Sequence, residues 1–139
     1  MASDWEHFPH GADIGVRGFG ETPAKAFERA ALAMTAVVTD PALVAPRESV
    51  TVEAMAPTLD ILLVDFLNAL VFEMAERGML FSVFAATIDG GRLTATARGE
   101  SVSRERHAPG VEIKGATFTE LAVVEDAPGR WRAQCVVDV

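Results

Sequence analysis

Residues 59 to 76 read LDILLVDFLNALVFEMAE, a stretch apolar enough that whatever it folds into must bury it nearly all round. Leu59, Leu62, Leu63, Phe66, Leu70 and Met74 recur at helical spacing, and Ile61, Val64, Val71 and Phe72 widen the stripe beyond one face. Such a helix needs cover on most sides, which makes it the central element of the core. At about 100° per residue, Asp65, Asn68 and Glu76 share the remaining side, the position of an ordinary solvated strip. Thr58 after Pro57 can cap this helix, and Asp60 suits its positive N-terminal end.

The rest of the chain supplies the cover. Thr22 followed by Pro23 opens another helix, in which Ala26, Phe27, Ala30, Ala31, Met34 and Val38 follow at helical spacing until Asp40-Pro41 stops it. Residues 13 to 19, DIGVRGF, alternate like a short strand, and residues 7 to 15, HFPHGADIG, read like the entry into an edge strand. From Glu48 to Met55, Val50 and Val52 face one way and Thr51 and Glu53 the other. Residues 80 to 88 and 92 to 98 flank Asp89-Gly90-Gly91, a hairpin signal. The segment 99 to 109 is polar and reads as a mobile loop. Residues 111 to 124 and 130 to 139 read as two last strands around Asp126-Ala127-Pro128-Gly129. The expected fold is α+β: one domain over residues 1–139, with two helices packed on a mainly antiparallel or mixed sheet.

Composition narrows function more than it names it. With a formal net charge of -8 in 139 residues, general capture of a nucleic-acid backbone is opposed, so no direct nucleic-acid binding is expected. Cys135 is the single cysteine, which rules out an intrachain disulfide and a cysteine-based zinc cluster and fits a reducing, cytoplasmic setting. Neither a signal peptide nor an apolar span of membrane length is seen, so a soluble protein with no membrane partner is expected.

No catalytic constellation emerges. His7, His10 and Asp13 cannot form a local zinc site on an extended backbone, because His7 and Asp13 would lie roughly 20 Å apart. Neither HExxH, CxxC nor a phosphate-cradling glycine loop is present. At the other end, WRAQCVVDV (131–139) alternates so that Trp131, Ala133, Cys135 and Val137 face the core, with Asp138 opposite. Asp138 and the carboxylate of Val139 place two hard oxygen donors together, chemistry that suits magnesium, manganese or calcium. Lys114, in the apolar stretch VEIKGATF, reads as a lysine that snorkels to water or pairs with an acid.

Four separated stretches together resemble the archease family: HGADIG (10–15), LLVDFLN (62–68), IKGATF (113–118) and the terminal VVDV. The resemblance implies a protein that is not itself an enzyme. Its implied partner is the RtcB-type RNA ligase of transfer RNA splicing and RNA repair, whose guanylylation and multiple turnover it would promote. It further implies a divalent metal ion (calcium, magnesium or manganese) on Asp13, Asp138 and the Val139 carboxylate, with Lys114 and Asp65 as functional or partner-facing residues. His10 would orient the turn before Asp13. Gly11 departs from the family's usual threonine, and Thr119 stands where a histidine is common. The alternatives are a chaperone-like binding module, and a stand-alone hydrolase, for which no general base is paired with a nucleophile. The metal reading requires the first and last strands to meet.

Overall fold

The computed structural model describes residues 4–139. Two antiparallel sheets and two long helices make up the fold. The first sheet contains β1 (Trp5–His10), β2 (Asp13–Gly20), β6 (Gly115–Ala116), β7 (Ala122–Ala127) and β8 (Arg130–Asp138), in the order β1-β2-β8-β6, with β7 also paired to β8. The second is β3 (Glu48–Met55), β5 (Arg92–Ser101) and β4 (Met79–Asp89), with β5 in the middle. Helices α1 (Pro23–Val38) and α2 (Leu59–Arg77) fill the space the sheets leave. Among the described residues no helix is long and apolar enough to cross a membrane.

The long elements form for local reasons. The Thr22 side chain accepts the Lys25 N–H, and Pro23 starts α1 where no donor is needed. The last turn of α1 ends in extended backbone at Thr39. Helix α2 stops at Gly78, whose φ of 62° is the left-handed cap that glycine adopts at little cost. At its start the cap differs from expectation. Thr58 bonds the Asp60 carboxylate rather than a backbone N–H, and Asp60 in turn accepts the Ile61 N–H. These bonds to the ionised form hold the Asp60 carboxyl below its usual range.

Packing joins the two helices through Phe27 and Phe66, stacked with centroids 6.2 Å apart and both fully buried. Leu62, Leu63, Leu67 and Leu70 of α2 are also buried, as the wide stripe requires, whereas Phe72 is left exposed. Helix α1 covers the edge of the second sheet: Thr35 donates to Phe81 O at 2.7 Å and Glu28 accepts the Ala86 N–H at 2.9 Å. An otherwise open β4 edge is satisfied in this way.

Several expectations are corrected. The segment from residue 7 is more than the entry into a strand: Trp5–His10 is itself a full edge strand paired with β2, from Trp5↔Gly18 to His10↔Asp13. Residues 111 to 124 are not one strand, because only Gly115–Ala116 and the start of β7 pair with β8. Strand β8 does not bury one face alone. Gln134 and Val136 are buried as well as Ala133, Cys135 and Val137, because β8 has neighbours on both edges and side chains on both faces. On its second face, Gln134 accepts from Arg17 and Arg132 and donates to Glu120 O. Burial pushes the Cys135 thiol up to about 12, so it is inert.

The segment 99 to 109 is not an irregular loop throughout either. Strand β5 runs on to Ser101 and a short helix, α3 (Arg104–His107), follows. Glu100 organises it: one oxygen accepts the Ala45 N–H at 2.8 Å and meets His107 Nε2 at 3.0 Å, and the other accepts from Arg106 at 2.7 Å, with Arg47 at 3.3 Å. Ser103 N–H donates to His107 Nδ1 at 2.8 Å, which fixes the proton on Nε2, pointing at Glu100. Thr39 donates to His107 O, closing the segment onto the end of α1.

The Ala45 N–H, followed by His107 and Arg106, holds the Glu100 carboxyl down at about 2, against an ordinary 4.5. Because the folded value is the lower one, the stabilisation is complete above pH 4.5 and disappears as pH falls toward 2. Thermal melts of wild type and Glu100→Gln across that window should show the wild-type advantage shrinking as pH falls. An advantage independent of pH would contradict the assignment.

Candidate functional site

Strands β1 and β2 are joined by Gly11-Ala12. Gly11 has a φ of 60° while Ala12 stays out of the positive region, the pattern of a hairpin turn with glycine at its first central position. A branched side chain at Gly11 would be strained, so here the glycine serves the turn. The turn ends at Asp13, the first residue of β2.

The register of β2 on β8 then decides where Asp13 lies. Ile14 pairs with Val137 and Gly15 with Val136, so one further step sets Asp13 opposite Asp138, at a cross-strand Cα spacing of roughly 5 Å. The contact is visible as Val139 N–H directed at Asp13 Oδ1 at 3.5 Å, across 126 residues of sequence. His10 pairs with Asp13 on the other side, and Gly115 pairs with Asp138. His10, Asp13, Asp138 and Gly115 therefore form one row across four strands, and Gly115 contributes no side chain to cover Asp138.

Lys114 is beside this row. Its N–H donates to Asp138 O at 2.8 Å, and its side chain is exposed. What pins β6 in place is a residue that the sequence reading left on the solvated strip. Asn68 accepts the Ala116 N–H at 2.8 Å and donates to Ala116 O at 3.3 Å, acting as a surrogate strand neighbour for an edge only two residues long. The signal available in the sequence was an amide among carboxylates on an otherwise apolar helix. Asp65, one turn earlier on the same side of α2, is exposed.

Asp13 is half-buried, Asp138 exposed and Val139 half-buried, and neither aspartate takes part in an ion pair among the described residues. Also among the described residues, no three side chains of His, Cys, Asp or Glu converge as a metal cage. A cation placed here would meet the carboxylates of Asp13 and Asp138 and, on this chain, main-chain oxygens or the Val139 carboxylate. Hard oxygens in an open, incomplete set fit an oxygen-preferring divalent cation and do not fit zinc or a permanently enclosed ion.

Comparison with known proteins identifies the family of the whole chain. Residues 5–139 match the archease protein family. The chain is 40% identical to the protein archease of Thermococcus gammatolerans, covering 97% of this chain and 98% of the relative, and 36% identical to that of Pyrococcus abyssi, with the same coverage. The solution structure of Methanobacterium thermoautotrophicum protein 1598 superposes with a TM-score of 0.85 at 34% identity, covering 98% of this chain and 99% of that one. A crystal structure from Thermotoga maritima, described as an archease and possible chaperone, shares the fold with a TM-score of 0.64 at 17% identity, each chain covered to 96%.

Proposed function

Because the chain belongs to the archease family, we propose that it acts as the accessory protein of an RtcB-type RNA ligase in the cytoplasm, promoting guanylylation and multiple turnover of that enzyme without chemistry of its own. The observation that carries the reading is the convergence of Asp13, Asp138 and Val139 at one corner of the first sheet. We assign Asp13, Asp138 and the Val139 carboxylate as the groups that hold a divalent cation, calcium, magnesium or manganese. When bound, that ion would supply a positive centre for a phosphate oxygen or for a ligand of the partner.

The chain's own contribution is placement. Asp13 is held at the strand start by the Gly11 turn, and Asp138 by the paired edge that Asn68 secures. Lys114, exposed beside Asp138, supplies an ammonium at the rim of an acidic site, suited to a phosphate approaching from solvent. An open corner, rather than a pocket, lets the group enter another protein's active site. The net charge of -8 complements a basic, RNA-binding partner and opposes direct RNA capture.

The test mixes this protein with an RtcB-type ligase, GTP and manganese, and follows covalent guanylylation and RNA joining over several turnovers. Wild type is expected to stimulate both, and Asp13→Asn to lose about tenfold or more of the stimulation, as removal of a ligand-sphere oxygen usually does. No stimulation by wild type, or undiminished stimulation by the variant, would sink the reading. Suppression of aggregation of unrelated proteins, unaffected by chelator, would favour a chaperone-like module instead.

A further inference from the structure

Beside the acidic corner the β8 ladder is interrupted in a way the site itself does not need. Val136 O accepts the Thr117 N–H at 3.0 Å, but Val136 N–H donates to Thr119 O, also at 3.0 Å. Three residues are spread opposite one, a bulge that leaves Phe118 outside the pairing. Thr117 tightens it, donating its hydroxyl to Val136 O at 2.8 Å and accepting the Thr119 N–H at 3.2 Å. Glu120 follows with a φ of 56°, and its carbonyl is held by Gln134 at 3.0 Å. The backbone is thus fixed on both sides of Phe118, while the residue is 65% exposed, more than any other large hydrophobic among the described residues.

Val136 is two residues before Asp138, so the bulge is roughly 7 Å along β8 from the acidic corner. We infer that Phe118 is the apolar anchor of a docking surface centred on the Asp13/Asp138/Val139 corner, and that it inserts into an apolar recess at the rim of the partner's basic, metal-binding pocket. The inference rests on the ligase reading above and adds how the corner is seated. Two features commit the surface to that occupant. The acids of the corner call for a basic counterpart, and Phe118 lies in the segment that directly follows β6, the strand paired with Asp138. Holding a large aromatic in one place before binding lowers the ordering cost that a mobile side chain would incur, which is why such residues dominate interface energetics. The bulge does this for Phe118.

The experiment separates affinity from stimulation by titrating the ligase with wild type, Phe118→Ala, Phe118→Trp and Met55→Ala. Met55 is 63% exposed at the end of β3 in the other sheet. Phe118→Ala is expected to raise the Kd about tenfold while stimulation at saturation stays at the wild-type level. Phe118→Trp should restore affinity, and Met55→Ala should leave it unchanged. Equal affinity of Phe118→Ala and wild type, or an equal loss in Met55→Ala, overturns the anchor while leaving the ligase reading in place. Failure of wild type to bind or stimulate the ligase overturns both.

Discussion

Gly18→Ala is expected to destabilise the protein by about 3 kcal/mol, the upper part of the range for overpacking a tight contact. Strand β2 passes so close to α1 at this residue that an added Cβ would lie 2.1 Å from Ala30 N and 2.3 Å from Ala26 O. Both atoms are helix backbone and cannot turn aside as a side chain would. Relief requires β2 and α1 to separate, which opens contacts around buried Val16, Ala26, Phe27 and Ala30. Urea unfolding of the two proteins measures the effect, and a loss well under 1 kcal/mol would show that the close approach is not required. Since Asp13 begins the same strand, the variant should also stimulate the ligase less at temperatures where it remains folded.

Removing Asp138 and Val139 is expected to abolish ligase stimulation and leave the fold standing. The deletion forfeits the bond from Lys114 N–H to Asp138 O, the direction of Val139 N–H onto Asp13 and the packing of the half-buried Val139 side chain on the core, a stability loss of about 2 kcal/mol, one net hydrogen bond plus part of a valine burial. Asp138→Asn keeps the main chain and removes only the charge, so it should lose stimulation with almost no change in melting. A truncated protein that melts normally and stimulates fully would eliminate the metal-holding corner. Collapse of the fold in the deletion with full activity in Asp138→Asn would give the corner a structural role alone.

Much of the architecture was legible because its causes are local. The α1 boundaries follow from Thr22-Pro23 and from Asp40-Pro41, and the structure gives Pro23–Val38. The β4–β5 hairpin follows from Asp89-Gly90-Gly91, and Val50 and Val52 are buried where alternation put them. The expectations that failed depend on partners far along the chain. Polar residues 99 to 109 looked mobile because their charges are visible in sequence, while the Ala45 N–H and the α1 end that bind them are not. Trp5–His10 was underestimated because a strand with Pro9 and few buried residues has a weak local signature. Asn68 looked solvated because its bonds go to backbone atoms of Ala116, which leave no trace in residue identity.

The candidate site divides the same way. The acids themselves, the glycine turn before Asp13 and the oxygen chemistry at Val139 are properties of short stretches, and resemblance to the archeases could mark them before any coordinates. Their meeting is a property of register. A period-two pattern tells which face a residue takes but not which strand lies beside it, since ladder hydrogen bonds join main-chain groups common to every residue. By itself, then, the sequence determined two helices, the strands with strong alternation and an inventory of carboxylates. Only the tertiary structure decided that β2 pairs with β8 in the register that brings Asp13 to Asp138 and Val139, and that the segment after β6 bulges opposite Val136 to present Phe118. Both outcomes depend on closing the chain across 126 and 19 residues respectively, where burial of the whole core, not any local preference, selects the pairing.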